Sequence, residues 1–353
     1  MVENKSSWII GLGHYLPERR VTNEFFEGKK LKKIGYGGSV EKEVICSDAW
    51  IMQNMGIKER RYGGEHDTAH TMGAKALAMA LEQAELLPSD LEGIITATVT
   101  SDKRFPSTAC EIQNILGITK EDNSFFAYDI GAACAGYLHA LTIADMHVRC
   151  GARAVGVVGV EKLSSINDLE DANSPLFGDG ACAAVVVSGF CASSFITSEK
   201  KRAGGIIASH ITSDSTADKH KAIYLDKEGK LRMPEGNKVL RFATRSMTAA
   251  VGKVKEKTGW TNDSIDLLIA HQANIRILEA VAKQTSLPME KIYINIEKYG
   301  NMSSATCGVA LSEAYREGRI KKGSKVILTS FGSGLVTSAI GLEYVLVSDT
   351  SNA

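Results

Sequence analysis

The sequence predicts an α/β protein that consists of two related halves. Short apolar runs rich in β-branched residues alternate with longer stretches of helical spacing, which is the pattern of α/β folds. The order of expected elements in the second half also repeats that in the first. In each half a helical stretch leads into an apolar strand, and two further apolar strands follow later. We expect the halves to join near residues 190–210, and we divide the chain into domains 1–195 and 196–353.

The individual elements follow from the spacing of apolar residues. Residues 71–87 are rich in Ala and Met at helical spacing, whereas LEGIITATV at residues 91–99 has the length and composition of a buried strand. The same criteria predict strands at 8–11, 125–130, 154–160, 181–187 and 265–270, and helices at 135–149 and 238–258. Residues 25–48 are charged and rich in glycine, so we expect them to form a surface excursion.

The composition excludes several classes of function. Lys and Arg together number 41, as do Asp and Glu, so no net field attracts nucleic acid or an anionic membrane. No apolar run reaches the length of a membrane-spanning helix, and the first residues show no export signal. The seven cysteines lack CxxC spacing and a Cys/His cluster. We therefore expect free thiols in a reducing cytoplasm and no metal site.

A nucleophile is predicted at Cys134. The segment FFAYDIGAACAGYLHALTIAD places this cysteine after a strand and a turn of small residues, at the start of a helix. Backbone N–H groups and the helix dipole are expected to lower the pKa of the thiol there, and the small neighbours leave room for a substrate carbonyl. These features alone leave a hydrolase, a transferase and a redox thiol open. The cysteines expected only to fill buried space are Cys110, Cys150, Cys182, Cys191 and Cys307.

Two polar residues in comparable positions accompany the cysteine. His271 follows the apolar strand of IDLLIAHQANIRIL, at the strand end where α/β folds place reactive groups. Asn301 lies in the glycine-marked turn of YGNMSSAT, before an Ala-rich helix whose expected cap is Ser303 or Ser304. A histidine handles protons near neutral pH, and an asparagine amide donates to a developing enolate or thioester oxygen.

The chain as a whole resembles the β-ketoacyl-acyl carrier protein synthase III family of condensing enzymes. The resemblance covers nearly the whole chain and is carried by GHYLPERRVTN, WIMQNMGIKERRY, RFPSTACEIQNILGI, AACAGYLHALTIAD, LFGDGACAAVV, PEGNKVLRFA, AHQANIRIL, YGNMSSATCGVALSEA and FGSGL. It implies the thiolase-like fold, in which two pseudo-symmetric halves, each with a mixed five-stranded sheet, form α-β-α-β-α layers. It also implies a homodimer that needs no cofactor.

The resemblance implies a mechanism for the three residues. Cys134 would take an acyl group from an acyl-coenzyme A or acyl-carrier-protein primer. The backbone N–H groups of Cys134 and Ser333 would form the oxyanion hole, although the family usually has Gly at the position of Ser333. Malonyl-acyl carrier protein would then lose carbon dioxide, and His271 and Asn301 would stabilise the enolate that attacks the acyl group. The 3-oxoacyl product would serve fatty acid initiation or a specialised lipid or polyketide pathway.

Further residues receive binding roles by the same resemblance. Trp50 would stack on the adenine of coenzyme A, and Phe105 would cross the dimer interface to close the acyl pocket, which favours a short primer. The residues implied to line the pantetheine tunnel are Gly236, Asn237 and Asn274. The basic residues implied to receive the acidic acyl carrier protein are Arg241, Arg276 and Lys283.

Two departures from the family concern the coenzyme A nucleotide. Asn54 and Asp171 stand where the family often has arginines, and residues 25–48 are longer than the family usually has. Each lost charge-assisted contact is worth roughly 1.5–3 kcal/mol. We therefore hypothesise that the primer donor is not acetyl-coenzyme A, and that the insertion reshapes the tunnel mouth.

Three alternatives to condensation compete with this interpretation. The chain could transfer the Cys134-bound acyl group to an alcohol or amine without decarboxylation, but members with that activity often replace the His or Asn. It could be a silent subunit that binds acyl carrier protein, but such subunits typically lose the nucleophile. A cysteine hydrolase would release free acid without any malonyl thioester.

Overall fold

The computed structural model describes residues 7–121, 124–189 and 202–346. Cys191 and the expected boundary between residues 195 and 196 lie outside these residues. Among the helices of the described part of the chain, none is long and apolar enough to cross a membrane.

The order of helices and strands confirms the α/β class. In the described residues the helices are α1 (Asp48–Met55), α2 (Ala69–Ala84), α3 (Thr108–Ile115), α4 (Gly136–Arg149), α5 (Gly236–Thr258), α6 (Ile275–Thr285), α7 (Ile296–Tyr299) and α8 (Ala305–Arg316). The strands are β1 (Ser7–Tyr15), β2 (Arg20–Thr22), β3 (Lys30–Ile34), β4 (Val40–Ile45), β5 (Glu59–Arg61), β6 (Gly93–Ala97), β7 (Phe126–Ile130), β8 (Ala154–Lys162), β9 (Asp179–Ser188), β10 (Arg202–Ser213), β11 (Tyr224–Leu225), β12 (Leu231–Arg232), β13 (Leu267–Ala270), β14 (Lys325–Gly332) and β15 (Val336–Leu346). The elements expected from apolar spacing form, with their ends moved by a few residues.

Nine of these strands form one mixed sheet with the order β13-β14-β15-β10-β1-β9-β8-β6-β7. Five strands of the first half continue into four strands of the second, through antiparallel pairing of β1 with β10 at Trp8–Gly205 and Ile9–Gly204. The fifth strand expected in the second half is reduced to a parallel bridge between Leu268 and Ile292 at the edge of the sheet. The two halves are therefore similar in pattern, but their sheets differ in the number of regular strands.

Helices cover both outer faces of the sheet and also fill the space between its halves. α2 and α3 pack on the first half, whereas α5 and α6 pack on the second. α4 and α8 lie between the halves, where their apolar side chains share one buried cluster with strands of both. This arrangement gives the expected α-β-α-β-α layers.

The glycines of β1 allow the Ala-rich helix α2 to lie directly on the sheet. A Cβ added at Gly11 would meet the carbonyl oxygen of Ala80 at 2.1 Å, and one added at Gly13 would meet that of Ala76 at 2.1 Å. Because both obstacles are backbone atoms, neither contact could relax by a side-chain rotation. The glycines in β1 and the alanines in α2 thus bring this helix closer than larger residues would permit.

Residues 25–48 differ from the expected surface excursion. β3 and β4 form an antiparallel hairpin, and β3 is held by backbone hydrogen bonds between Lys32 and residues 170 and 172. Phe26, Leu31 and Cys46 are almost completely buried in a hydrophobic cluster that contains residues of both halves. The prediction of a surface excursion is therefore wrong for the base of this segment, because three apolar side chains anchor it. Only the hairpin itself is largely exposed.

Candidate active site

Cys134 lies where β7 ends and α4 begins, as the sequence predicts. Gly131 and Ala132 form the turn, and a short 3-10 helix, Ala133–Ala135, leads into α4. Ala133 adopts a left-handed conformation with φ of 45°, which turns the chain sharply before the nucleophile. The carbonyl oxygen of Cys134 accepts a hydrogen bond of 2.7 Å from the Ser330 hydroxyl, so the second half of the protein holds the nucleophile loop.

The pKa of the Cys134 thiol changes in the direction opposite to our expectation. Burial raises this pKa to about 12, and the hydrogen bond with Ser303 lowers it only in part. The negative charge of Glu161 raises it further. The expected lowering of this pKa at the helix N-terminus is therefore wrong for the resting protein, because burial raises the pKa more than the hydrogen bonds lower it. Cys134 rests as a neutral thiol.

His271 follows β13 and is 2% exposed. Its Nδ1 lies 2.5 Å from the hydroxyl oxygen of Thr306, which also donates to the carbonyl oxygen of Ser303 at 2.8 Å. When Nδ1 carries the proton, Thr306 accepts from the ring; when Nε2 carries it, the Thr306 proton turns to Nδ1. Both tautomers keep Nδ1 hydrogen-bonded and leave Nε2 free for a substrate. Burial lowers the pKa of His271 to about 3, so the ring is neutral.

The side-chain amide of Asn301 has a defined orientation. Its Oδ1 accepts a hydrogen bond of 2.8 Å from the backbone N–H of Ser303, which leaves the NH₂ group available as a donor. The backbone of Asn301 is fixed to the first half, because its N–H donates to Leu176 and its carbonyl oxygen accepts from Gly178. Gly300 makes this approach possible, since it has a φ of 65° and an added Cβ would lie 2.7 Å from the Leu176 oxygen. The expected cap Ser304 does not cap α8, because its hydroxyl donates to Ala97.

The loop of Ser333 lies directly beside that of Cys134. A Cβ added at Gly332 would be 2.7 Å from the backbone nitrogen of Cys134, so the two chains are in close contact. The Ser333 hydroxyl donates to Ile223 at 2.6 Å, away from its own N–H. Across the described ranges, neither the Cys134 nor the Ser333 N–H has a hydrogen-bond acceptor outside its own short helix. Both N–H groups are thus available to an oxyanion.

One cavity of about 1100 Å³ contains most of the residues expected in the site. The expected site residues that line it are Cys134, His271, Asn301, Ser333, Trp50, Gly236, Asn237, Asn274 and Arg276. Three hairpin residues, Lys33, Glu41 and Val44, line the same cavity, and the hydroxyl of Tyr36 in the hairpin donates to Glu235 at 2.9 Å. The hairpin therefore forms part of the cavity wall, and the hypothesis that the insertion reshapes the tunnel mouth stays a prediction.

Three expected site residues lie away from the cavity. Phe105 is 84% exposed in the loop between β6 and α3, and it does not contribute to the cavity of a single chain. Arg241 and Lys283 are exposed on α5 and α6. Their implied roles in dimer contact and carrier-protein docking stay predictions.

Asn274, implied to line the tunnel, and Arg276, implied to receive the carrier protein, both make hydrogen bonds within the chain. The side-chain amide of Asn274 donates to Asn54 at 2.8 Å, and its oxygen caps α6 by accepting from the Arg276 N–H. Arg276 itself donates to the carbonyl oxygen of Gln53 at 2.9 Å. Both residues therefore fasten α6 to α1 as well as lining the cavity.

Asp171, which stands where the family often has an arginine, lies in a buried cluster in which one arginine is shared by three carboxylates. Asp171 is 2% exposed, and one oxygen of its carboxylate lies 3.3 Å from a guanidinium nitrogen of Arg232. Arg232 also pairs with Asp168 at 2.6 Å and Asp226 at 2.7 Å. Because this acid is buried and paired, it presents no free anion to the cavity. Asp171 does not line the cavity, and the weaker phosphate binding expected from Asn54 and Asp171 stays a prediction.

Sequence reasoning missed three residues that surround the nucleophile: Glu161, Ser303 as a contact of Cys134, and Thr306. Glu161 ends the apolar run of β8, and a charged residue at that position could have been identified by the argument that found His271. Ser303 and Thr306 lie in the NMSSAT segment, where nothing local distinguishes them from ordinary turn and helix residues. In the described ranges, no group of three or more His, Cys, Asp or Glu side chains is arranged to hold a metal ion.

Comparisons with known proteins agree on one family. A model of the 3-oxoacyl-[acyl-carrier-protein] synthase III C terminal matches residues 256–344, and one of 3-oxoacyl-[acyl-carrier-protein] synthase III matches residues 128–215. The chain is 41% identical to the β-ketoacyl-[acyl-carrier-protein] synthase III of Caldanaerobacter subterraneus, over 98% of this chain and 99% of that protein. It is 40% identical to the synthase III of Aquifex aeolicus, over 95% of this chain and 99% of that protein.

Solved structures give the same result for the fold. The crystal structure of 3-oxoacyl-[acyl-carrier-protein] synthase III from Aquifex aeolicus superimposes with a TM-score of 0.82 at 37% identity, covering 96% of this chain and 99% of that one. The priming β-ketosynthase of the R1128 polyketide pathway superimposes with a TM-score of 0.80 at 29% identity, with 96% of each chain covered. The predicted thiolase-like fold is thus confirmed.

Proposed function

Because the chain belongs to the 3-oxoacyl-[acyl-carrier-protein] synthase III family, we propose that it condenses an acyl primer with malonyl-acyl carrier protein to form a 3-oxoacyl-acyl carrier protein. The observation that supports this reaction is the meeting of Cys134, His271 and Asn301 in one cavity, beside two backbone N–H groups that have no acceptor in another element of the described chain. The enzyme is an acyltransferase whose substrates are thioesters, and none of its steps needs a resident cofactor.

In the first half-reaction, the sulfur of Cys134 attacks the carbonyl carbon of the primer thioester. The developing oxyanion is stabilised by the N–H groups of Cys134 and Ser333, which the contact at Gly332 holds next to each other. Collapse of the tetrahedral intermediate breaks the donor C–S bond and releases the donor thiol. The acyl group then occupies Cys134.

In the second half-reaction, malonyl thioester binds beside the acyl group and loses carbon dioxide. The NH₂ group of Asn301 donates to the thioester oxygen as it becomes an enolate oxygen. His271 donates from Nε2, in the tautomer in which Thr306 donates to Nδ1. Both groups are neutral, so they stabilise the enolate more than the uncharged thioester without binding the malonyl carboxylate strongly.

The charged side chains at the cavity mouth favour an acyl donor whose affinity depends little on nucleotide phosphates. Lys33 is paired with Glu41 at 2.8 Å and Lys238 with Glu235 at 2.6 Å, so these cations are already partly neutralised. Arg276 contributes a further positive charge at the mouth. We propose that the primer arrives on acyl carrier protein or on a coenzyme A that is bound chiefly through its pantetheine arm, with Trp50 stacking on the adenine. A low micromolar dissociation constant for coenzyme A, measured by calorimetry, would contradict this.

The remaining proposals concern assembly and location. Arg276, Arg241 and Lys283 would receive the acidic carrier protein, since each presents a cation on α5 or α6. Phe105, being exposed in one chain, would be covered in a cytoplasmic homodimer and close the acyl pocket of the partner. The domains would be 1–195, which carries Cys134, and 196–353, which carries His271 and Asn301.

Intact-protein mass spectrometry tests the proposed reaction. The protein is mixed with a panel of acyl-coenzyme A and acyl-carrier-protein donors, and then with malonyl-acyl carrier protein; Cys134→Ala is the matched control. We expect one donor to add an acyl mass to the wild type alone, and malonyl-acyl carrier protein to remove it as 3-oxoacyl product. An adduct that persists with malonyl-acyl carrier protein would instead indicate transfer to another acceptor.

A further inference from the structure

Glu161 is a completely buried acid at the end of β8, close to the nucleophile. Its Oε2 accepts a hydrogen bond of 2.6 Å from the Thr100 hydroxyl and one of 3.1 Å from the backbone N–H of Val99. Its Oε1 accepts a hydrogen bond of 3.1 Å from the Ser303 hydroxyl. The carboxyl group is therefore held rigidly, with one oxygen bound to the β6 loop and the other bound to the segment that carries Asn301.

The neighbours of Glu161 do not neutralise its charge. Its hydrogen-bond partners in the described part of the chain are neutral donors. The adjacent Lys162 points away, because its ammonium group donates to the carbonyl oxygen of Gly64. The ionisable groups that interact with it are Cys134 and Cys182. Burial raises the pKa of Glu161 to about 7, while the donated hydrogen bonds work in the other direction. Such a carboxyl can change its protonation state near neutral pH.

Ser303 connects this acid with the nucleophile. The Ser303 hydroxyl donates to Oε1 of Glu161, and Ser303 lines the same cavity wall as Cys134, where its hydroxyl lowers the pKa of the thiol by hydrogen bonding. The Ser303 N–H orients the amide of Asn301. Ser303 reaches these partners in a left-handed backbone conformation with φ of 46°. For a residue other than glycine this conformation is strained, and it persists where the surrounding contacts over-determine it. Ser303 is thus placed to pass a proton between the thiol and the carboxylate.

We propose that Glu161 receives the Cys134 proton during acyl transfer, through the hydroxyl of Ser303. As Sγ bonds to the thioester carbonyl carbon, its proton moves to Ser303 Oγ, and the Ser303 proton moves to Oε1 of Glu161. When the donor C–S bond breaks, the leaving thiolate takes a proton back along the same path, and Glu161 is again ionised. Glu161 acts through Ser303 and does not touch the substrate. This inference rests on the proposed acyl transfer but not on the identity of the primer.

His271 is a weaker candidate for the same task. Its burial lowers the pKa to about 3, so an imidazolium would be far less stable there than a protonated Glu161. Its free nitrogen is also needed as a donor when the enolate forms. The two half-reactions therefore use different groups, with Glu161 serving the transfer to Cys134 and His271 serving decarboxylation.

The test measures single-turnover acylation of Cys134 by S-acetyl-N-acetylcysteamine, a small thioester that makes no nucleotide or carrier-protein contacts. The wild-type rate is expected to rise with pH through about 7, as Glu161 ionises. Glu161→Gln keeps the shape of the side chain but cannot accept the proton. We expect it to lose this rise and to acylate about 10²-fold more slowly at pH 8.

Two further variants distinguish a role of Glu161 as proton acceptor from a purely structural role. Thr100→Val removes a hydrogen bond that stabilises the carboxylate, so the rise should move to higher pH. Ser303→Ala should resemble Glu161→Gln, and the double variant should be no slower than either alone. Acyl-enzyme prepared from Glu161→Gln should be discharged by malonyl-acyl carrier protein within about threefold of the wild-type rate, because Glu161 serves only the first half-reaction.

Two results would overturn the inference: an unchanged acylation rate in Glu161→Gln, or a uniformly lower rate with the same dependence on pH. Neither would affect the proposed condensation, which is judged by loading and discharge of the wild type. Conversely, wild-type protein that acylates normally but is not discharged would refute the condensation and leave the role of Glu161 intact. Melting temperatures of all variants control for loss of folding.

Discussion

The close contact between Gly332 and Cys134 allows a direct test of the oxyanion hole. In Gly332→Ala, the new Cβ would lie 2.7 Å from the Cys134 nitrogen and 3.1 Å from the Ala133 Cβ. Since a carbon and a nitrogen need about 3.4 Å or more, the two loops must separate by roughly 0.5–1 Å. Gly332 has an extended backbone with φ of −143°, so alanine adds steric strain but no dihedral strain.

The separation should affect acyl transfer far more than folding. Two N–H groups must lie 2.7–3.1 Å from one developing oxyanion, and loss of one such donor typically costs about 10²–10³ in rate. We expect Gly332→Ala to acylate Cys134 about 10²-fold more slowly and to lose about 1–3 kcal/mol of stability from overpacking. Rapid-quench mass spectrometry measures the first quantity, and denaturant unfolding measures the second.

Alkylation by iodoacetamide distinguishes a damaged oxyanion hole from a displaced nucleophile. This reaction needs the sulfur of Cys134 but no oxyanion donor, so its rate should be nearly unchanged in Gly332→Ala. Gly252→Ala is the control, because its added Cβ on α5 would meet nothing within 4 Å and should leave acylation unaffected. If Gly332→Ala acylates within threefold of wild type, the N–H of Ser333 is not an oxyanion donor. If alkylation falls equally, the nucleophile itself has moved.

Three further predictions address the other parts of the site. In Asn301→Ala and Thr306→Val, acyl-enzyme should still form, but its discharge by malonyl-acyl carrier protein should fall at least tenfold, measured by single-turnover mass spectrometry; equal losses in both steps would refute the division of roles. Arg60 is fully buried and donates to three acceptors, so Arg60→Met should lower the free energy of unfolding by about 3 kcal/mol in urea titrations, and a loss below 0.5 kcal/mol would contradict this. Lys283→Glu should raise the KM for malonyl-acyl carrier protein several-fold at low salt but not the rate with small thioesters, and an unchanged KM would exclude this lysine from docking.

The sequence predicts the parts of this protein that depend on local patterns. Strands such as β8 and β9 are continuous apolar runs, because both of their faces are buried, and such runs are visible without a structure. Cys134 and His271 could be selected because each follows an apolar strand, at the end where α/β folds expose reactive groups. Asn301 could be selected from its glycine turn.

The features that the sequence did not predict depend on contacts between distant segments. The helix N-terminus near Cys134 is local, but the burial that raises the pKa of its thiol comes from the whole fold. In the sequence Phe26 and Leu31 look like parts of a polar excursion, but in the fold they are buried in a cluster drawn from both halves. The partner of Asp171 is Arg232, which lies 61 residues further along the chain. In each case a contact with a distant segment changes a conclusion that was drawn from residues nearby in the sequence.

The site depends on both halves of the protein, and this dependence explains why so many small residues surround it. The first half supplies the loop of Cys134, and the second half supplies its neighbours by approaching that loop at Gly332. In return, the backbone of Asn301 is hydrogen-bonded to the first half on both sides of Phe177, which requires Gly300. Because each half holds a catalytic segment of the other, a small shift between the halves would disturb acyl transfer and decarboxylation together. Close backbone contact, rather than additional side chains, therefore keeps the geometry of the three residues.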